Sequence, residues 1–159
     1  MKKSEIVKYW RNVRALTLTL LDRFPPETFG YCPTPFVRSA AEQFEHIGAV
    51  EIYIRKGLVD NVLIPVPEVG IKDKDTLRQF LIAEHAKTSR ALAALPEDRL
   101  FGYYDTKFGR VTGEGLVLVA IDEEIHHRGN LYIYLRLLEI EPPQMVHKYG
   151  EIFAEDTNG

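Results

Sequence analysis

The sequence predicts an all-α protein, a four-helix bundle with one long crossover between helices 2 and 3. Three observations carry that prediction. Four segments of about twenty residues place apolar side chains at three- and four-residue steps, the period of one helix face. Proline- and glycine-bearing stretches separate them. The separator between the second and third segments, residues 58–72, is longer than the first, residues 25–34, which suits antiparallel helices 1 and 2 followed by a crossover that leaves helices 2 and 3 parallel. At 159 residues the chain is long enough for one core. Residues 1–145 are read as a single bundle domain and 146–159 as a C-terminal tail.

The first helix, residues 4–24, sets Trp10, Val13, Thr17, Leu20 and Phe24 on one stripe. Pro25 and Pro26 end it, because proline cannot continue a helix. The second begins near Pro35, where a first-turn proline is tolerated, and stops at Gly57. Residues 58–72, LVDNVLIPVPEVGIK, read as an irregular crossover. Asp73 or Asp75 caps the third helix, which runs to about Leu95 before Pro96. LFGYYDTKFGRVT is too aromatic and glycine-rich for helix and reads as a short hairpin. Thr112 caps the fourth helix, and the EPP at 141–143 closes it.

Composition narrows the function. The chain is 45% hydrophobic and 27% charged, with a net charge of −3. That gives no electrostatic reason to bind nucleic acid or an anionic membrane. No stretch approaches the ~18 apolar residues of a membrane span. The N-terminus has charge but no apolar core or small-residue cleavage site, so it does not read as a signal peptide. Cys32 is the sole cysteine. A single thiol excludes an intrachain disulfide and fits a reducing compartment, so the expected location is cytoplasmic.

The chemistry concentrates in EEIHHRGNLYIYLRLL, in the fourth helix. Glu123 and His127 lie one turn apart, on a face read as an apolar stripe with Leu116, Val119, Asn130, Tyr134 and Leu137. A carboxylate buried alone is costly, so it needs a partner. A metal ion is one such partner; a direct Glu123–His127 pair is another. His126 falls at the rim, and Arg128 points away. On the second helix His46 shares a face with Ser39, Glu42, Val50 and Tyr53. Helices packed at 8–10 Å let ligands from two of them meet one ion. His46, Glu123 and His127 would then supply two imidazoles and a carboxylate, a set used for zinc with an open position or for non-haem iron. Glu42 and Glu84 are candidate general bases, each also readable as a salt-bridge partner. His85 reads as surface, and Tyr53 and Tyr134 as core or pocket aromatics. Gly129 reads as a place where a neighbouring helix comes close.

RSAAEQFEHIGAVEIYIRKGL, followed after a gap by FGRVTGEGLVLVAIDEEIHHRGNLYIYLRLLEIEPP, resembles the DinB-like family of bacterial four-helix-bundle metalloproteins, along nearly the whole chain. The resemblance implies a divalent metal held by one histidine of the second helix and two of the last, spaced i and i+4 ahead of Arg-Gly-Gln. His46 matches the first ligand and His127 the last. Glu123 stands where the middle histidine belongs, and Asn130 replaces the glutamine. Glutamate also binds zinc, iron, manganese and nickel, but the swap lowers the site's charge by one and weakens its power to acidify a bound water or thiol. Relatives include transferases that use low-molecular-weight thiols, and many have no established activity. The resemblance therefore implies a metal-dependent thiol S-transferase or hydrolase acting on a small molecule, in a homodimer. A non-catalytic dimeric bundle serving as a binding module is the alternative. A ferritin-like di-iron reading fails on its ligands: Glu-x-x-His recurs in the fourth helix, but the second offers Gln43-x-x-His46.

Overall fold

The computed structural model describes residues 2–106 and 109–145. The expected tail, 146–159, lies outside the described residues. The chain is mostly helical with a small two-stranded sheet: α1 (Lys3–Arg23), a 3-10 turn (Pro26–Thr28), α2 (Ala40–Asp60), α3 (Lys74–Ala94), α4 (Glu97–Phe101), β1 (Tyr103–Thr106), β2 (Gly109–Thr112) and α5 (Gly113–Leu137). The sequence's fourth helix is α5.

The stripe read on α1 is the one it buries: Trp10, Val13, Thr17, Leu20 and Phe24 are each at most 2% exposed. Helix α2 starts later than expected. Pro35 lies in the preceding turn, and the helix begins where Ser39 can cap it. Ser39 N–H donates to Glu42 Oε2 at 2.7 Å, while Glu42 N–H donates back to Ser39 Oγ at 3.4 Å. It also passes through Gly57, ending at Asp60 with Asn61 in the left-handed region at φ 56°. A Cβ at Gly57 would meet Leu63 Cδ2 at 2.5 Å, so this glycine admits the crossover instead of stopping the helix. Asp73 caps α3 through Thr76 N–H at 2.8 Å. Pro96 opens the short α4, which the sequence did not announce. The hairpin forms antiparallel, from Tyr103 opposite Thr112 to Thr106 opposite Gly109. Thr112 caps α5 by accepting from Gly115 N–H at 3.0 Å.

Both α1 and α2 pack against α3 and α5. Residue numbers give the directions. Lys3 reaches the carbonyls of Ala93 and Leu95, and Lys74 those of Asp22 and Phe24, so α1 and α3 are antiparallel. Glu51 meets His85 and Arg55 meets Thr88, while Glu45 holds the segment just before α3, so α2 and α3 run parallel. Parallel neighbours oblige the connection to return a helix length, about 32 Å for 21 residues. Residues 61–73 do so without regular structure.

Among the described residues the core falls into two apolar clusters. One gathers Ile6, Trp10, Val13, Ile54, Leu58, Leu116 and Val117. The other gathers Leu20, Phe24, Phe29, Phe44, Leu77, Leu81, Leu131 and Leu135. A buried polar layer lies within this interior. Arg14 donates to Glu124 Oε1 at 2.9 Å, to Glu51 Oε2 at 2.9 Å and to the Leu81 carbonyl at 2.8 Å. Glu124 also accepts from Trp10 Nε1 and Thr17 Oγ1. His85 Nδ1 is 2.9 Å from Glu51 Oε1. The surface expectation for His85 is thus overturned: it is 8% exposed, edge-on to Trp10.

The face of α5 differs from the sequence reading as well. Its buried residues include Leu116, Val117, Ala120, Ile121, Glu124, His127, Arg128, Leu131 and Leu135, whereas Val119 and Leu137 are exposed. At 100° per residue the buried face is turned by roughly 90° from the expected one. Glu124 sits at its centre and Glu123 at its edge. Gly129 is exposed, and a Cβ there would meet nothing within 4 Å. The close helix approach occurs instead at Gly48 of α2, where a Cβ would collide with Phe80 of α3.

Candidate metal centre

His46 projects from the first half of α2, and Glu123 and His127 from the middle of α5. These helices are antiparallel, as the Leu58–Gly113 approach at one end and the Gln43–Tyr134 bond at the other require. One nitrogen from each histidine and one Glu123 oxygen lie within 4.8 Å of one another. Glu123 Oε2 is 3.4 Å from His127 Nε2 and 3.8 Å from His46 Nε2. The imidazoles meet edge to face, with centroids 4.7 Å apart.

Burial grades across the group. His127 is buried, His46 is half-buried, and the Glu123 side chain is 43% exposed. Burial, aided by the neighbouring His46 and His126, pushes His127 down to about 3. Burial also lowers His46, with Arg38 adding to the effect. Both rings therefore stay neutral near pH 7, the form that ligates metal. The buried end is held by hydrogen bonds. His127 Nδ1 bonds Gln43 Oε1, Gln43 Nε2 donates to the Tyr134 hydroxyl at 3.1 Å, and that hydroxyl donates to the Arg38 carbonyl at 2.7 Å.

The group opens onto a cleft of about 1100 Å³, lined in part by His46, His127, His126, Asn130, Arg38 and Lys72. One wall is the crossover, tied to α2 by Glu45, which accepts from Val69 N–H at 2.7 Å and Ile71 N–H at 3.0 Å.

Of the residues singled out in the sequence, His46, Glu123 and His127 come together. Glu42 lines the cleft, but its carboxylate is engaged by the Ser39 N–H, which holds it below the usual carboxylate range. A carboxylate held low is a poor base. Glu84 is not brought to the cleft. Against the cost of burial, Lys87 at 2.6 Å and Arg55 at 2.5 Å keep it ionised. Tyr53 packs against the first apolar cluster, and Tyr134 serves Gln43. His126 is exposed at the cleft, as read, while Arg128 does point away, buried against the Val13 carbonyl. Sequence reasoning missed Gln43. Its signal was one turn of helix, since Gln43 and His46 are i and i+3 and share the face turned to α5.

Two imidazoles and a carboxylate, carried by two packed helices at the wall of a cleft, define a helical protein with a candidate metal centre. Comparison with known proteins then supplies the family. The model of the DinB family matches residues 1–154, and the chain belongs to that family. It is similar to the uncharacterised protein YjoA of Bacillus subtilis (strain 168), at 28% identity over 138 residues, covering 85% of this chain and 90% of YjoA. The crystal structure of the DinB-like protein YjoA aligns with a TM-score of 0.74 at 26% identity, covering 88% of this chain and 96% of that one.

Proposed function

We propose that the chain holds one divalent metal ion between His46, Glu123 and His127, and acts as a metal-dependent transferase or hydrolase on a small molecule entering the cleft. The convergence of the three donors within 4.8 Å carries this reading. The donor set fits an ion. Ligands at about 2.05 Å from a shared tetrahedral centre stand about 3.4 Å apart, near the 3.4 and 3.8 Å found here. Zinc, nickel, iron and manganese all accept two imidazoles and a carboxylate. A bound ion would supply Lewis-acid stabilisation to an anionic sulfur or oxygen. The protein's residues do the rest. Gln43 orients His127, burial keeps both imidazoles unprotonated, and Glu123 offsets one positive charge. A low-molecular-weight thiol is the favoured substrate class, as the resemblance read in the sequence implies, and the cleft beside the donors has room for one.

The four long helices, each packed on two others, support reading the fold as a four-helix bundle with a crossover between α2 and α3. The outer face of α5 exposes Leu118, Val119, Ile125, Ile133 and Leu137, which favours a homodimer through that face. Cys32 is free and exposed, which favours the reducing cytoplasm. Among the described residues no helix is long and apolar enough to cross a membrane.

The test is elemental analysis of untagged protein beside His46→Ala and Glu123→Ala. About one metal per chain in the wild type, lost in His46→Ala, is the expected result. A wild type that stays empty after incubation with zinc, nickel, iron and manganese would end the metal reading. Thiol-transfer and ester-hydrolysis assays then follow with the metal found.

A further inference from the structure

The donor nitrogen of His127 is selected by a hydrogen-bond relay whose polarity starts at a backbone carbonyl. The Arg38 carbonyl can only accept. The Tyr134 hydroxyl lies 2.7 Å from it and has one proton, which is thereby committed. The phenolic oxygen is left to accept, so the partner at 3.1 Å must be the NH2 group of Gln43. That orients the amide with Oε1 towards His127 Nδ1. An amide oxygen only accepts, so Nδ1 carries the proton. A neutral imidazole has one N–H, and Nε2 is left bare, facing Glu123 Oε2 at 3.4 Å. Gln43, His127 and Tyr134 are 3–4% exposed, so water cannot readily replace a member. Turning any one of them around sets two acceptors or two donors face to face.

We propose that Gln43 and Tyr134 are positioning residues that hold His127 in the Nδ1–H tautomer and present Nε2 to the cleft. The use of this tautomer rests on the metal reading, but its existence does not. A ring fixed in this form need not exchange its proton between nitrogens before it ligates. The anchor is also informative: Arg38 precedes the Ser39 cap of α2 and lines the cleft, so the ligand's orientation is tied to the cleft wall.

The experiment is long-range proton–nitrogen NMR of the histidine rings in 15N-labelled, metal-free protein, with zinc titrations in parallel. Wild type is expected to show His127 protonated at Nδ1 and bare at Nε2. Tyr134→Phe removes the anchor and lets the Gln43 amide turn. The Nε2–H form should then appear, with zinc affinity about tenfold or more weaker. Adding Gln43→Glu to Tyr134→Phe supplies an acceptor in either orientation and should restore the tautomer. Neither change is expected from residues that merely fill space. An Nε2–H ring in the wild type, or an unchanged tautomer in Tyr134→Phe, would overturn the relay even if zinc binds. The Nδ1–H tautomer in a wild type that refuses every metal would leave the relay standing and remove the metal reading.

Discussion

Glu123 and Glu124 are adjacent in the chain and opposite in circumstance. Glu124 is 1% exposed and takes hydrogen bonds from Arg14, Trp10 and Thr17. Although burial works against its charge, those donors hold it below the usual carboxylate range. Arg14 is likewise kept charged by Glu124 and Glu51 despite its own burial. Glu123, one residue earlier, is half out of water and faces two imidazoles. The first carboxylate is fully engaged and belongs to the core. The second retains lone pairs and faces His46 and His127, which line the cleft. A single step of about 100° along α5 separates a structural anion from a candidate ligand.

The largest test of that contrast is Arg14→Leu. It strands Glu51 and Glu124 in the interior, and removing one partner of a buried ion pair costs about 3–5 kcal/mol. Urea unfolding measures the loss, and a drop below 1 kcal/mol would mean that water or a second cation already compensates the carboxylates. Glu124→Gln is expected to cost less, about 1–3 kcal/mol, because the amide keeps one acceptor but puts an NH2 group among donors.

Acid should expose the same interior. His127 titrates near 3 when folded, against about 6.5 when unfolded. The unfolded chain therefore binds the extra proton between these values. Stability from this group is complete above about pH 6.5 and falls as the pH drops towards 3. The depressed Glu124 gives a second loss with the same sign, beginning as the pH falls into the ordinary carboxylate range and continuing below it. Unfolding monitored from pH 7.5 to 4 should show the first slope in wild type and a shallower one in His127→Gln.

Glu123→Gln should change least. In metal-free protein an exposed carboxylate is worth about 0.5 kcal/mol or less. With excess zinc, wild type should gain melting temperature and the variant should not, since only binding to the native state stabilises it. A large loss in the absence of metal would place Glu123 with Glu124 as a core residue.

Much of this arrangement was legible in the sequence. Trp10, Val13, Thr17, Leu20 and Phe24 gave the centre of the buried face of α1, because Lys8, Arg11, Asp22 and Arg23 hold other positions out to water; Leu16 and Leu21 widen that face beyond the stripe. On α5 the same method missed by a quarter turn. Leu118, Val119, Ile125, Ile133 and Leu137 make the helix apolar all round, so periodicity could not say which side faces inward. The internal layer was hidden for a related reason. Arg14, Glu51, His85 and Glu124 come from four different helices, and no spacing along one chain segment registers their meeting. Arg14, one step from Val13 on the buried stripe, was the available hint. His46 and His127 were legible because the family pattern pairs them across helices, something periodicity does not do.

The tether from Glu45 to Val69 and Ile71 bears on how such a protein can diversify. The Glu45 carboxylate grips the irregular wall of the cleft through the backbone N–H groups of Val69 and Ile71, so this tether does not read their side chains. Residues 64–70 therefore have more room to exchange than the ends of the crossover, where Asn61 closes α2, Leu63 packs over Gly57, Ile71 packs on the core and Asp73 caps α3. The histidines and Glu123 meanwhile stay on α2 and α5. Grafting crossovers between family members would change one wall of the cleft while leaving the three candidate donors on α2 and α5 untouched.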